Sequence, residues 1–231
     1  MIAERETMRY GIIWAAVLLY TGTTLGAEMV KSYFPHGTLK SEVHYKEGTR
    51  TDTREGIKEG LDKSYYSTGE LAYAVNYRDN KRDGFMKWYD REGHLIEEMP
   101  YRMGKRHGLE KSYFPSGKLK RTVRYVNDHK EGLEKEFYEN GRLAMVVPYK
   151  KGKKEGMQKE YDEEGHLFSQ VRYLNNYKEG MQKWFDASGK VVRTELYKMD
   201  RPVRVLAKMK GQKEQKLLIN NIDFSPKPAG Q

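Results

Sequence analysis

The stretch GLEKSYFPSGKLKRTVRYVNDHKEG, residues 108–132, reads as two short strands and two turns. Phe114-Pro115-Ser116-Gly117 places Pro second and Gly fourth, which suits a type I turn closed by a left-handed glycine, a common hairpin connection. Asn127-Asp128-His129-Lys130 forms a second short connection rich in turn formers. The same grammar recurs on both sides. Gly60, Gly84, Gly108, Gly132, Gly156 and Gly180 are each 24 residues apart. Nine residues after each comes a second glycine, and Gly37 supplies a seventh from an earlier copy that begins at Glu28. A period of this length makes each copy one supersecondary unit.

Counting the first glycine as slot 0, slot 1 is apolar in every copy: Met29, Leu61, Phe85, Leu109, Leu133, Met157 and Met181. Slot 5 is aromatic, slot 11 is Leu or Val, slot 15 is mostly Val, and slot 17 is always Tyr, from Tyr45 to Tyr197. All these slots are odd, the period-two mark of strands with one buried face. The expected fold is all-β, an elongated antiparallel meander of about seven 24-residue hairpins, each copy touching mainly its neighbours. Fourteen residues separate Tyr45 from Gly60 where other copies have six, so an insert lies within 46–59. The repeats are expected over 28–203. Residues 204–231 are expected to cap them, with closing strands in VLAKM (205–209) and KLLINNIDF (216–224) before a frayed tail.

Composition narrows the function classes. Of 231 residues 33% are charged and 37% hydrophobic, which excludes a polytopic membrane protein, while 18 Tyr, 7 Phe and 3 Trp argue against disorder. Cysteine is absent, which removes disulfides, thiolate metal sites and Cys nucleophiles. A net charge of +10 favours an anionic partner or surface. Residues 10–20, YGIIWAAVLLY, form an apolar run too short for a comfortable span and suited to a signal-peptide core, with a small-residue cut region ending near Gly26 or Ala27. Residues 1–27 are therefore expected to be a signal peptide, with Met8 offering a better start than Met1, and the chain periplasmic or secreted. An uncleaved N-terminal membrane anchor is the alternative.

The spacing G-x-x-K-x-[YF]-x-x-x-G-x-L-x-x-x-V-x-Y, seen in 108–125 and kept in register over seven copies, resembles the bacterial variant of the MORN repeat. The resemblance covers roughly 29–203. It implies a twisted sheet of hairpins and a non-catalytic binding or scaffolding role at membranes and protein complexes. Similar proteins are labelled antitoxin-like, which implies a second role, binding and neutralising a partner toxin.

Two rows of cations are candidate sites. Lys31, Lys63, Lys87, Lys111, Lys135, Lys159 and Lys183 occupy slot 3 in all copies, and their stems are expected to lie along neighbouring Tyr or Phe rings. Lys81, Arg82, Lys105, Arg106, Lys130, Lys153, Lys154 and Lys178 precede the glycines and converge on one edge as a basic rim, diluted by Asp83, Glu131, Glu155 and Glu179. The rim is the expected contact for another protein or an anionic envelope surface. The six His do not form a metal-ligand pattern: His94 and His166 share a slot but lie three copies apart, roughly 29 Å at sheet spacing. With no catalytic motif among the residues, the sequence points to no enzyme, no cofactor and no small-molecule substrate, and export disfavours nucleic acid.

Overall fold

A computed structural model describes residues 27–51 and 55–203, and the expected signal peptide and C-terminal cap lie outside the described residues. The N-terminal strands are β1 (Ala27–Tyr33), β2 (Leu39–Lys46), β3 (Gly60–Tyr65), β4 (Leu71–Arg78), β5 (Lys81–Tyr89) and β6 (Leu95–Arg102). The central ones are β7 (Lys105–Arg106), β8 (Gly108–Tyr113), β9 (Leu119–Val126), β10 (His129–Lys130), β11 (Gly132–Phe137) and β12 (Leu143–Lys150). The last are β13 (Lys153–Lys154), β14 (Gly156–Tyr161), β15 (Leu167–Leu174), β16 (Tyr177–Lys178), β17 (Gly180–Phe185), β18 (Val191–Lys198) and β19 (Arg201–Val203). Among the described residues they form one 19-stranded sheet in which every pairing is antiparallel and joins strands that are consecutive in sequence or separated only by one of the two-residue strands β7, β10, β13 and β16.

Both expected turn types are present. Gly117 N donates to Phe114 O at 2.8 Å and Phe114 N to Lys118 O at 2.9 Å, with Gly117 at φ +80°. The second connection is a two-residue turn with positive φ at both positions, as at Asn127 (48°) and Asp128 (69°), the geometry whose twist matches flanking strands. In the first junction Lys46 N donates to Ile57 O at 2.7 Å. Gly56 packs against Tyr45, so closely that a Cβ there would lie 2.8 Å from the ring.

The structure corrects the expectation of a single buried face made of odd slots. Within a copy the paired slots add to 17: Asp62 faces Val75, Glu110 faces Val123 and Glu134 faces Val147. Odd slots of the first strand therefore lie opposite even slots of the second. The buried face holds Val75, Met99, Val123, Val147 and Val171, and next to them slot 2, with Asp62, Met86, Glu110, Glu134, Gln158 and Gln182. Slots 1 and 3 point to the other side, where Leu109 is 43% and Leu133 49% exposed.

Candidate functional site

The edge built from the two-residue turns is pinned copy to copy. Asn80 N donates to Lys58 O, Asp128 N to Arg106 O and Asn176 N to Lys154 O, at 3.0, 3.0 and 3.1 Å. The Oδ1 atoms of the same residues accept from the backbone N–H groups of Lys58, Arg106 and Lys154 at 2.8, 2.9 and 2.7 Å. Glu131, Glu155 and Glu179 each accept the first N–H of the next turn, so these acids hold the edge together rather than merely diluting its charge.

The basic rim divides into two populations. Residues two before each glycine sit over Tyr rings: Lys58 on Tyr77 (4.8 Å), Arg82 on Tyr101 (5.2 Å), Arg106 on Tyr125 (4.3 Å), Lys130 on Tyr149 (4.7 Å), Lys154 on Tyr173 (4.8 Å) and Lys178 on Tyr197 (4.8 Å). Each is also strand-paired with the Tyr of the preceding copy, as Arg106 with Tyr101 and Lys154 with Tyr149, giving an alternating column of rings and cations. The expectation had these roles reversed. The ring-packed cations are Arg82, Arg106, Lys130, Lys154 and Lys178 of the rim, because slot 17 and the residue two before the glycine share the valine face, whereas the slot 3 lysines are on the opposite face. Lys58 belongs to this column; its place two before Gly60 would have revealed it had the insert not obscured the spacing.

The column cations reach down to the buried polar row. Lys58 Nζ lies 3.1 Å from Asp62 Oδ2, and Lys130 Nζ donates to Glu134 at 2.6 Å; Lys154 and Lys178 donate to Gln158 and Gln182 at 3.3 and 3.0 Å. Arg121 spans Glu110 and Glu134 with two contacts of 2.7 Å. Burial opposes ionisation of Glu134, but hydrogen bonds from Lys130 and Arg121 outweigh it and hold the carboxyl below the usual range. Burial, together with the Glu134 charge, pushes the Tyr149 phenol up to about 12.

The remaining rim cations are exposed, and they expose a pattern that slot counting missed. Lys81 faces Arg78, Lys105 faces Arg102, Lys153 faces Lys150 and Arg201 faces Lys198 directly across the hairpin ends. On the same face several of the slot 3 lysines meet ion partners rather than rings. Lys31 and Lys63 both meet Glu42, at 3.0 and 3.6 Å, and Lys111 meets Glu98 at 3.1 Å. The Tyr65 and Tyr113 hydroxyls donate to the same two glutamates, and burial plus those carboxylates push both phenols up to about 12. Lys87 lies across from Glu98 as well, whereas Lys135, Lys159 and Lys183 alternate with Thr122, Val146, Gln170 and Thr194. Asp162, Glu164 and His166 bring one ligand atom each within 4.8 Å, at an exposed turn in which Asp162 accepts the His166 N–H.

A sheet of stacked hairpins with two patterned faces defines a β-repeat protein. Seven segments, 29–47, 58–79, 82–103, 106–127, 130–151, 154–175 and 178–199, match the MORN repeat variant, and the chain belongs to that family. No curated protein matches the chain. Repeats of this kind are typically non-catalytic and generally mediate binding to proteins or membranes.

Proposed function

We propose that this protein is an exported, non-catalytic binding or scaffold module of the cell envelope that engages an anionic partner through its turn edge. The observation that carries this reading is the set of four hairpin ends closed by opposing cations, Arg78/Lys81, Arg102/Lys105, Lys150/Lys153 and Lys198/Arg201. Like charges directly opposite each other destabilise a hairpin. Asp83, 3.1 Å from Arg78, offsets one of these ends, and the recurrence of opposing cations along one edge is an arrangement that an anionic surface would neutralise further. The exposed cations Lys81, Lys105 and Lys153 therefore replace the whole rim as the proposed contact.

The triple variant Lys81→Glu/Lys105→Glu/Lys153→Glu tests it. Each like pair becomes an opposite pair, so the fold should gain a few tenths of a kcal/mol per pair, reduced by solvent screening. Binding to phosphatidylglycerol vesicles at low salt should nevertheless disappear. Undiminished binding by the variant, or wild-type binding that ignores salt, sinks the reading. Export rests on the short apolar run and the small residues after it; mass spectrometry should find a mature N-terminus near Ala27 or Glu28, and an intact Met1 or Met8 in a soluble cytoplasmic fraction would refute it. A toxin-neutralising role would be favoured instead by one toxin co-purifying in fixed stoichiometry.

A further inference from the structure

The face opposite the valine row carries three parallel rows. The hairpin-end cations form the first. The second is slot 1, where Leu61, Phe85, Leu109, Leu133, Met157 and Met181 are 37 to 49% exposed. The third is the row of slot 3 lysines. The slot 1 side chains stand across from Asn76, Pro100, Arg124, Pro148, Arg172 and Leu196, so the stripe is apolar except at Asn76, Arg124 and Arg172, and it is flanked on both sides by cations. Rows two residues apart along a strand are about 6.7 Å apart, so the cationic rows stand roughly 13 Å from one another. An α-helix with its side chains is about 10–12 Å across. Successive copies repeat every ~9.6 Å across the sheet, and a heptad of helix advances about 10.5 Å, so one apolar position per heptad keeps step with one copy over several copies.

The face is not uniform along its length. In the N-terminal half the lysine row is partly neutralised by Glu42 and Glu98. In the last three copies Lys135, Lys159 and Lys183 have only Thr, Val and Gln opposite them. The same copies expose Leu133, Met157 and Met181, and at one hairpin end the like-charged pair gives way to Leu174 and Tyr177, 41% and 47% exposed. The fold does not need this asymmetry, since all seven copies keep the same backbone. We infer that this face, centred on the copies beginning at Gly132, Gly156 and Gly180, docks an acidic amphipathic helix of a partner protein, its apolar stripe on slot 1 and its carboxylates over the two cationic rows. A bilayer fits less well, because sheet twist turns successive copies out of any one plane and the slot 1 side chains lie between cations rather than beyond them. The inference rests on the binding-module reading and names the partner's chemistry.

The probe is a synthetic helix of about four heptads with Leu at a and d and Glu at e and g, compared with the same peptide carrying Lys at e and g and with phosphatidylglycerol vesicles. Wild-type full chain should bind the Glu peptide and not the Lys peptide. Leu133→Ser/Met157→Ser/Met181→Ser alters exposed positions only, and Lys135→Glu/Lys159→Glu/Lys183→Glu provides an independent variant. Each should weaken peptide binding by about tenfold or more with unchanged circular dichroism, and the Ser variant should keep wild-type vesicle binding. Equal binding of both peptides, or of the Ser variant and wild type, overturns the helix assignment. Vesicle binding with no peptide binding also overturns it while leaving the anionic-edge reading intact. Peptide binding without vesicle binding supports the helix and removes the edge reading.

Discussion

Arg121 shows how single residues hold this sheet together. Glu110 and Glu134 are 2% and 6% exposed, and buried carboxylates are tolerated only when paired. Arg121→Met keeps most of the volume but leaves Glu110 without its guanidinium and Glu134 with Lys130 alone, which should cost about 3 kcal/mol in chemical denaturation at neutral pH, the low end for a broken buried pair because Arg121 is itself partly exposed. The pH dependence has a definite sign. Glu134 is held below the usual carboxylate range, so its pairing stabilises the fold above the unfolded pKa and the stabilisation is lost as pH falls through the folded value. In Arg121→Met Glu134 loses one of the two cations that hold its carboxyl low, so it takes up a proton at higher pH than in the wild type. The stability gap between wild type and variant should narrow from pH 7 toward about pH 4, and a gap that stays constant or widens would refute the role given to this arginine.

At the scale of the hairpin, the face assignment can be measured directly. Val123, 1% exposed, and Leu109, 43% exposed, belong to the same copy and to opposite faces. Val123→Ala should cost about 2 kcal/mol, while Leu109→Ala should stay below about 1 kcal/mol, the reverse of what side-chain size alone suggests. Much of the hairpin was legible in the residues. Gly117 after Phe114-Pro115-Ser116 specified its turn, and Asn127-Asp128 specified the other, because few residues accept positive φ. The faces were not legible, and a bulge explains why. Next to the turn Tyr113 pairs with Leu119, slots 5 and 11, so odd meets odd; beyond the shift between Ser112 and Tyr113, Glu110 pairs with Val123, so even meets odd. A shift of one residue exchanges the faces of a strand. The buried row also concealed itself chemically, since Asp62, Glu110 and Glu134 do not look like core residues until Lys58, Arg121 and Lys130 are seen beside them. For the same reason the ring-packed rim cations and the slot 3 lysines exchanged places between expectation and structure.

For the whole molecule, seven copies at two strands each give a sheet about 67 Å long before twisting, and each copy leans chiefly on its neighbours. Removing residues 156–179, from one repeat glycine up to the next, should therefore leave a folded protein. Lys154 would then meet Gln182 as it now meets Gln158, and Asp200 would cap Lys154 as Asn176 does. Removing 157–179 instead adds one residue to the junction, and that variant should melt lower and less cooperatively in circular dichroism. Equal melting of the two deletions would contradict the register. The pinning of each turn to the copy before it has an evolutionary consequence. Because every regular junction shares the same backbone bond, from the second turn residue to the carbonyl of the column cation one copy back, gene duplication or loss of one unit changes the reach of the protein in steps of ~9.6 Å with that bond re-formed, which makes it a ruler whose graduations can be added or erased. The one junction that breaks the pattern, with Gly56 packed against Tyr45, marks a point where such an exchange would not be silent.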